Sequence, residues 1–513
     1  MNYLLSLPFA LPLLMAAVGV LIRASRPLQR ALTGAMLAVL IGIGVALVVA
    51  TRDGAAIASR VGGWPSGLAI PFAADGFAAL IIVATTTMAT LSVVFAVARG
   101  EDEHPLFHPM VATMLAGVLG SFVTADLFNL FVMFEVMLIG SYLLLTLRGG
   151  RRQVRAGAVY VAVNLLASTV FLIGIALLYG AVGTVNFGEL AGVTARAPSA
   201  TVGAVVVAVA IGVKASLVPL HSWLPRAYVE AGPAVTALFS GLLTKAGVYV
   251  LFRLYSVVFA GDPTWRPLLL AIAGLTMVVG VMGAVGRGDV RGILAFHMVS
   301  QVGYLVLPLG LWSLAGVTAG IVYLLQYVLV KGALFVAAGT IETLTGTGRL
   351  AHLGGMVRTR PWLAIGFLLP ALALAGIPPS SGFVGKYLLV RAAFEGGEWV
   401  AGGVAVLVSL FTLLSMVKIW NGVFWGRLTE AVAREPAALT HGLPVPAGGA
   451  GDGAPRPPGI SRWRLAGMVG PALLVGLATL VLGFAAQPLI DLVEPAASTL
   501  LDPTPYLEAV RSA

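Results

Sequence analysis

Seven side chains that could carry protons lie inside long apolar runs of this sequence. One glutamate, one histidine and all five lysines are placed in this way: Glu135, His297, Lys214, Lys245, Lys331, Lys386 and Lys418. The 26 arginines lie almost entirely in short polar connections. Arginine stays protonated wherever it is placed, whereas a buried lysine can release its proton. A charge near the centre of a bilayer costs at least about 2.5–3.5 kcal/mol, so we interpret these lysines as functional.

Glu135 lies near the middle of its apolar run, in DLFNLFVMFEVMLIGSY. A carboxyl there is neutral when it is unpaired and charged beside a lysine, which makes it switchable. We expect Lys214 to be its partner. Two other interpretations stay open: a carboxyl that only bonds to a neighbouring helix, and a permanent structural salt bridge.

The other lysines divide by their depth in the apolar runs. Lys245 and Lys331 are central, too far from a helix end to snorkel easily, and Lys386 belongs to the same class. We predict that all three relay protons. Lys418 is about two turns from its helix end, so relay and snorkelling are both open.

Two histidines join this set of candidates. His297 can exchange a proton near neutral pH, although an interfacial position is the alternative. His221 follows Pro219 on an amphipathic stretch, and we treat it as a secondary candidate at an interface or cavity rim.

Composition places the 513-residue chain in the membrane class. Hydrophobic residues make up 59% and charged residues only 10%, against about 25% charged in soluble proteins. The formal charge of +10 comes from loop arginines, which the positive-inside rule explains better than nucleic-acid binding. The chain has no cysteine, and no metal-ligand spacing, nucleotide loop or cofactor motif is recognisable. We therefore expect no cofactor and no bound metal.

The fold class predicted from the apolar periodicity is all-α, with about fourteen transmembrane helices. The expected spans are 3–22, 31–50, 73–98, 106–124, 127–147, 158–180, 201–220, 233–257, 266–286, 291–311, 316–344, 361–395, 401–425 and 466–493. Lys and Arg concentrate in the loops after odd-numbered spans, which places those loops in the cytoplasm and both termini outside. The Pro/Gly-rich segment 428–464 is expected to be a flexible cytoplasmic loop.

Two of these spans should be broken. The seventh contains Pro219 five residues after Lys214, and the twelfth contains the sequence IPPSSG before Lys386. Proline inside a helix removes a backbone hydrogen bond, and paired interruptions in two halves indicate a transport site built on inverted repeats. We predict two inverted five-helix units, spans 4–8 and 9–13, in which Glu135 matches His297. Lys214 would match Lys386, and Lys245 would match Lys418.

This repeat divides the chain into five expected regions. Residues 1–98 hold the first three spans, 99–258 the first five-helix unit and 259–427 the second. The loop 428–464 follows, and residues 465–513 hold the last span and a tail.

Several segments carry a resemblance to a known family. TADLFNLFVMFEVMLIGSYLLL, KASLVPLHSWLPRAY, ALFSGLLTKAGVYVLFRL, RGILAFHMVSQVGYLV and AGIPPSSGFVGKYLL resemble the antiporter-like subunits shared by complex I and Mrp-type sodium/proton antiporters. The likeness runs collinearly over roughly residues 70–425. Within that group the chain is most similar to the D subunits of Mrp antiporters.

The resemblance implies a proton path through Glu135, Lys214, Lys245, His297, Lys331 and Lys386. It implies a transporter subunit, not an enzyme, that works in the plasma membrane with other antiporter subunits, protons and sodium. One departure is on the eleventh span, where relatives often have histidines and this chain has Tyr323, Gln326 and Tyr327. The relay there would rest on Lys331 and water.

Two alternatives to an antiporter subunit stay open. The chain could be a proton-pumping subunit of a complex I or hydrogenase-type redox complex, in which the same residues would do the same work. It could also be a purely structural membrane scaffold. Five lysines in apolar runs speak against a scaffold, because scaffolding would not require their desolvation cost.

Overall fold

The computed structural model describes residues 2–60, 62, 64, 69–427, 429 and 460–513. The first half of the chain forms helices α1 (Leu7–Leu21), α2 (Arg26–Thr51), α3 (Gly76–Arg99), α4 (Phe107–Val123), α5 (Leu127–Thr146), α6 (Arg151–Val182), α7 (Phe187–Leu190), α8 (Val193–Arg196), α9 (Pro198–Ala215), α10 (Trp223–Tyr228) and α11 (Pro233–Val257). The second half forms α12 (Arg266–Val285), α13 (Val290–Leu311), α14 (Leu314–Thr345), α15 (Met356–Thr359), α16 (Pro361–Ala375), α17 (Ser381–Glu395), α18 (Trp399–Val423), α19 (Arg462–Phe484), α20 (Ala486–Leu501) and α21 (Thr504–Ser512).

Among the described residues, eleven helices are long and apolar enough to cross a membrane. Three shorter apolar helices, α1, α4 and α16, complete a set that corresponds in order to the fourteen predicted spans. The all-α membrane architecture is therefore confirmed. One short antiparallel hairpin, β1 (Ile57–Arg60) with β2 (Pro71–Ala74), was not predicted. Asp75 ends it by accepting a hydrogen bond from the Ala78 amide at 3.0 Å, which starts α3 later than expected.

Three helices form the centre of the bundle. In the most apolar stretches of α11, α13 and α14, 100%, 94% and 89% of the residues are buried. In those of α6, α12 and α18, only 33–39% are buried. A helix that is apolar all round is stable only when it is surrounded, and helices with one exposed apolar face suit lipid. The candidate proton carriers of spans 8, 10 and 11 consequently lie in the protein interior.

The two predicted helix breaks are present. The seventh span ends as α9 at Ala215, where Ser216 takes a left-handed conformation (φ 67°), and resumes as α10. The twelfth ends as α16 at Ala375, where Gly376 is left-handed (φ 83°), and resumes as α17. Each break leaves the last carbonyl groups of a half-helix inside the apolar region, where they need polar partners.

The two ends of the bundle differ in their coverings. One end, which we call the hairpin end, carries the β1–β2 hairpin together with α20 and α21. The other, the arginine-rich end, carries the loops that contain Arg99, Arg148 and Arg291.

Matching contacts recur at opposite ends of the bundle. Asp126 forms a backbone bridge with Asn186 near the hairpin end, and Asp289 forms one with Arg349 at the arginine-rich end. Both aspartates cap the helix that follows. The helices α6 and α14 have 32 residues each, and α11 and α18 have 25 each. These counterparts favour two units of opposite orientation.

The last predicted span, 466–493, is too long. It ends as α19 at Phe484, and the chain then turns into the amphipathic helix α20, which packs on α3 and α14 and buries Val493 and Leu500. The short helix α21 packs against the hairpin. A prediction from apolar content joined α19 and the start of α20 into one span, because the residues that α20 buries are as apolar as those of a span. Of the predicted loop 428–464, residues 428 and 430–459 lie outside the described residues, and Arg462 already belongs to α19.

Candidate functional site

Glu135 and Lys214 are brought together, but through a third side chain. The Ser168 hydroxyl on α6 donates a hydrogen bond to Glu135 Oε1 on α5. Lys214 Nζ, on α9, donates to Ser168 Oγ at 3.0 Å. Within the described part of the chain these two charged groups make no direct ion pair. The predicted partnership is therefore mediated by a hydroxyl.

The position of Lys214 suits a cation. It is the penultimate residue of α9, and only 3% of its surface is exposed. The C-terminus of a helix carries a partial negative charge, which favours an ammonium group. Its Nζ also lies 5.4 Å from the centre of the Phe134 ring, whose face attracts cations.

Lys386 reaches the corresponding place from the other side of its break. It belongs to α17, after the break, yet its Nζ approaches the Ala375 carbonyl at the end of α16 at 3.5 Å. Its side chain runs past Gly376, where an added Cβ would lie 2.8 Å from Lys386 Cδ. Its Nζ also lies 4.5 Å from the Tyr304 ring centre.

Lys245 is fully buried in the middle of α11. Its ammonium group donates to the Ser240 carbonyl and to Thr244 Oγ1, the latter at 3.1 Å. It also faces the Tyr327 ring, whose centre is 4.4 Å away. These partners are all neutral, so no carboxylate contacts this lysine in the described residues.

Lys331 and His297 have fewer partners still. Both are fully buried, and neither Lys331 Nζ nor the two ring nitrogens of His297 has a hydrogen-bond partner among the described residues. Lys331 Nζ lies 5.4 Å from the Phe335 ring centre. His297 is within electrostatic range of Lys331 and Lys386, and Lys331 is within range of Lys245. The second half of the candidate path is therefore a chain of neighbouring basic groups.

The helix positions agree within one residue with the predicted pairing of Glu135 and His297, but not with that of Lys245 and Lys418. Lys214 precedes its break and Lys386 follows its own, so their shared position arises from different residues. Glu135 is the ninth residue of α5 and His297 the eighth of α13. Lys245 is the thirteenth residue of α11, but Lys418 is the twentieth of α18. The sequence comparison paired residues by chemical type and order, whereas the helix register is set by packing.

The two secondary candidates, Lys418 and His221, lie at a helix end and in a turn. Lys418 Nζ donates to the Val285 and Arg287 carbonyls at 2.9 and 2.6 Å, so it caps the end of α12. This geometry favours the snorkelling alternative. His221 is half-buried in the turn between α9 and α10, where its backbone carbonyl accepts from Ser216 Oγ at 3.3 Å.

Sequence reasoning missed a buried ion pair at the hairpin end. Arg253 Nη2 on α11 bonds Asp75 at 2.8 Å and the Tyr249 hydroxyl at 3.1 Å. The Tyr506 ring of α21 lies 4.2 Å from its guanidinium carbon. An arginine inside an apolar run, in LFRLYSVVF, was a signal that could have identified it.

Ion pairs at the arginine-rich end hold the starts of helices. Glu101 accepts from Arg99, from Arg148 at 2.9 Å and from the Ala234 amide at the start of α11 at 2.6 Å.

A second carboxylate in the same turn, Asp102, is hydrogen-bonded by one arginine and one histidine. It accepts from Arg30 Nε at 2.6 Å and from His108 Nε2 at 3.3 Å. Burial alone would raise the pKa of Asp102, but the hydrogen bonds from His108 and Arg30 outweigh it and lower that pKa.

A family model, a curated protein and a solved structure that resemble this chain all include Mrp-type or Na(+)/H(+) antiporters. The family described as NADH:quinone oxidoreductase/Mrp antiporter, TM matches residues 124–412. The D subunit of the Na(+)/H(+) antiporter of Alkalihalophilus pseudofirmus is 36% identical over 99% of both chains. A chain in the structure of the Mrp complex from a Dietzia species is 41% identical, with a TM-score of 0.92 and full coverage of both chains.

A more distant structure shares the same fold. A chain of the membrane-bound sulfane sulfur reductase, an archaeal respiratory membrane complex, is 25% identical with a TM-score of 0.85 over 99% of both chains. The resemblance predicted from the motifs is thus confirmed. The chain belongs to the family of transmembrane subunits shared by NADH:quinone oxidoreductases and Mrp antiporters.

Proposed function

We propose that this chain is the proton-translocating membrane subunit of a multisubunit sodium/proton antiporter. One observation carries the proposal: Lys245, Lys331 and Lys386 are buried inside the helix bundle without a carboxylate partner in the described residues. A purely structural role would not require this desolvation cost. The relatives' names, an Na(+)/H(+) antiporter and an Mrp complex, supply the reaction and the partners.

The first step takes place at Glu135. Its side chain is half-buried on the side of the bundle, so a proton can reach it from a neighbouring subunit or from water. Protonation removes the negative charge that holds the Lys214 ammonium through Ser168. Lys214 is then a desolvated cation without a counter-charge, and it releases its proton more easily.

The released proton then moves laterally through the central helices. We assign the path to Lys245, Lys331, His297 and Lys386 in turn, with water between them. Buried polar atoms in proteins nearly always have a partner, and ordered water is the usual one where protein supplies none. The unpartnered nitrogens of Lys331 and His297, and the side chain of Gln326, are therefore the expected water sites.

The orientation follows from charge. We propose that the arginine-rich end faces the cytoplasm, that both termini lie outside, and that the loop 428–464 is cytoplasmic. The asymmetry of Lys and Arg between the two sets of loops supports this arrangement. In this orientation the hairpin, α20 and α21 cover the outer side of a plasma-membrane subunit.

We also propose that the chain contains two five-helix units. Residues 99–258 and 259–427 would form the two units, and the opposed Asp126–Asn186 and Asp289–Arg349 bridges support it.

The test is the sodium-dependent proton flux of the reconstituted complex with Glu135→Gln. We expect flux to be lost, because an amide cannot exchange the proton. Glu395→Gln is the matched control, since Glu395 lies on the exposed end of α17 beside Arg391. Near-normal flux in the Glu135 variant would remove Glu135 from the mechanism.

A second candidate is a proton-pumping subunit of a redox complex. The likeness to a chain of the archaeal sulfane sulfur reductase favours it. Isolation of the native assembly separates the two: small antiporter subunits as companions support the first candidate, and iron–sulfur subunits support the second.

A further inference from the structure

We propose that Ser168 is the proton relay between Glu135 and Lys214. Its hydroxyl is the only side chain of the described residues that hydrogen-bonds to both groups, donating to Glu135 Oε1 and accepting from Lys214 Nζ at 3.0 Å. This inference rests on the proposed function and adds a residue to its first step.

The surroundings of Ser168 fit this task. The side chain is 4% exposed and lies in the middle of the long helix α6, so bulk water does not compete for its hydroxyl. A serine in a helix ordinarily bonds a carbonyl of its own preceding turn, as Ser141 does with Leu138 at 2.8 Å. Ser168 instead donates its hydroxyl to Glu135 on α5 and accepts a hydrogen bond from Lys214 on α9.

The two-unit arrangement points to the same residue independently. Ser168 is the eighteenth residue of α6, and Lys331 is the eighteenth residue of α14, the helix of equal length in the second unit. Each unit therefore places a polar, proton-exchanging side chain at the same point on its long helix. In the first unit that residue is a hydroxyl between two charges, and in the second it is an amine.

The hydroxyl permits a balanced transfer of one proton. Once Lys214 has released its proton along the path, the protonated Glu135 gives its proton to Ser168 Oγ while the hydroxyl proton passes to the neutral Lys214 amine. The result is a carboxylate, an ammonium group and an intact serine, joined by the hydrogen bonds that the structure shows. Neither long side chain has to swing toward the other, since the two ends of the hydroxyl already contact both groups.

The experiment compares three variants in the reconstituted complex, with assembly checked by copurification of the other subunits. Ser168→Ala removes the hydroxyl, and we expect flux to fall about tenfold, the effect of one hydrogen bond to a charged group. Ser168→Thr keeps the hydroxyl and should stay within about twofold of wild type. Thr169→Val is the control, because in the described part of the chain the Thr169 hydroxyl bonds only the Leu165 carbonyl of its own helix.

A pH profile of flux distinguishes a relay from a packing role. The titratable groups near Ser168 are Glu135, Lys214 and Tyr142. Loss of the hydroxyl removes a hydrogen bond from the charged forms of Glu135 and Lys214, so the active pH range should narrow in Ser168→Ala and recover in Ser168→Thr. A structural role would lower flux equally at every pH.

Two results would overturn the relay: an assembled Ser168→Ala complex with wild-type flux and pH profile, or equal losses in the alanine and threonine variants. The Glu135→Gln variant keeps this separate from the proposed function. If Glu135→Gln is inactive and Ser168→Ala is normal, only the relay fails. If Glu135→Gln is normal, the proposed path itself fails.

Discussion

Two buried basic side chains on neighbouring helices have very different surroundings in this protein. Arg253 on α11 is held by Asp75, by the Tyr249 hydroxyl and by the face of Tyr506. Lys331 on α14 is equally buried, yet its ammonium group has no hydrogen-bond partner among the described residues and lies 5.4 Å from the Phe335 ring centre.

The difference follows from the chemistry of the two groups. A guanidinium is always charged, so its burial requires a counter-ion and hydrogen-bond acceptors. An amine can lose its proton, so it can be buried without a permanent partner. The arginine therefore holds the hairpin end together, whereas the lysine has the surroundings that our proposed proton path requires.

Placing an arginine at the position of the unpaired lysine should have the largest effect on flux and stability. We expect Lys331→Arg to abolish proton flux and to destabilise the complex by about 3–5 kcal/mol, since a fixed charge would be buried without a partner. Lys331→Gln should also abolish flux but keep most of the stability. Flux in the reconstituted complex and thermal unfolding in detergent are the measurements. Wild-type flux in Lys331→Arg would show that Lys331 need not release its proton.

Removing the counter-ion of Arg253 tests the other half of the comparison. Asp75→Asn keeps an oxygen that can cap α3 but leaves Arg253 unpaired, and we expect a loss of about 3–5 kcal/mol in stability. Flux per assembled complex should not change. The double variant Asp75→Asn with Arg253→Met is the control, which should regain most of the stability. A specific loss of flux in assembled Asp75→Asn would place the pair in the proton path instead.

The aromatic face over Arg253 contributes less. Tyr506→Leu should lower the stability by about 2 kcal/mol, the size of a desolvated cation–π contact. Tyr506→Phe keeps the ring and should stay near wild type. Thermal unfolding of both variants measures the difference, and equal losses would show that the ring face is not what binds α21.

The smallest effect concerns Asp102, a carboxylate with paired hydrogen bonds outside the spans. Since these bonds lower its pKa below the ordinary value of 3.8, it stabilises the fold above that pH. The stabilisation should disappear as the pH falls through the lowered pKa. Comparing the stabilities of wild type and Asp102→Asn from neutral pH to about pH 3 checks this, because the gap between them should narrow as the pH falls. A gap that widens in acid would contradict the assignment.

Much of the fold was predictable because its determinants are local. A span is a run of apolar residues long enough to cross the bilayer, and a break is marked by proline, so both can be found without knowing the neighbours. The end of the last span was wrong for the same reason. The composition of residues 486–493 fits a span, and only packing against α3 and α14 turns them into part of α20.

The candidate site was only partly predictable. The ionisable side chains could be found from their types, because a buried charge is costly and therefore rare. Ser168 could not, since serines are common in helices and nothing local distinguishes this one from Ser141.

The sequence by itself determined the order of the apolar helices and most of the ionisable groups that lie within them. Tertiary structure decided which of those groups meet: Ser168 stands between Glu135 and Lys214, and Lys386 turns back to the end of α16. The reason is physical. Hydrophobic burial and backbone hydrogen bonding act on each segment separately, whereas a contact between side chains on three helices depends on how those helices rotate and pack together.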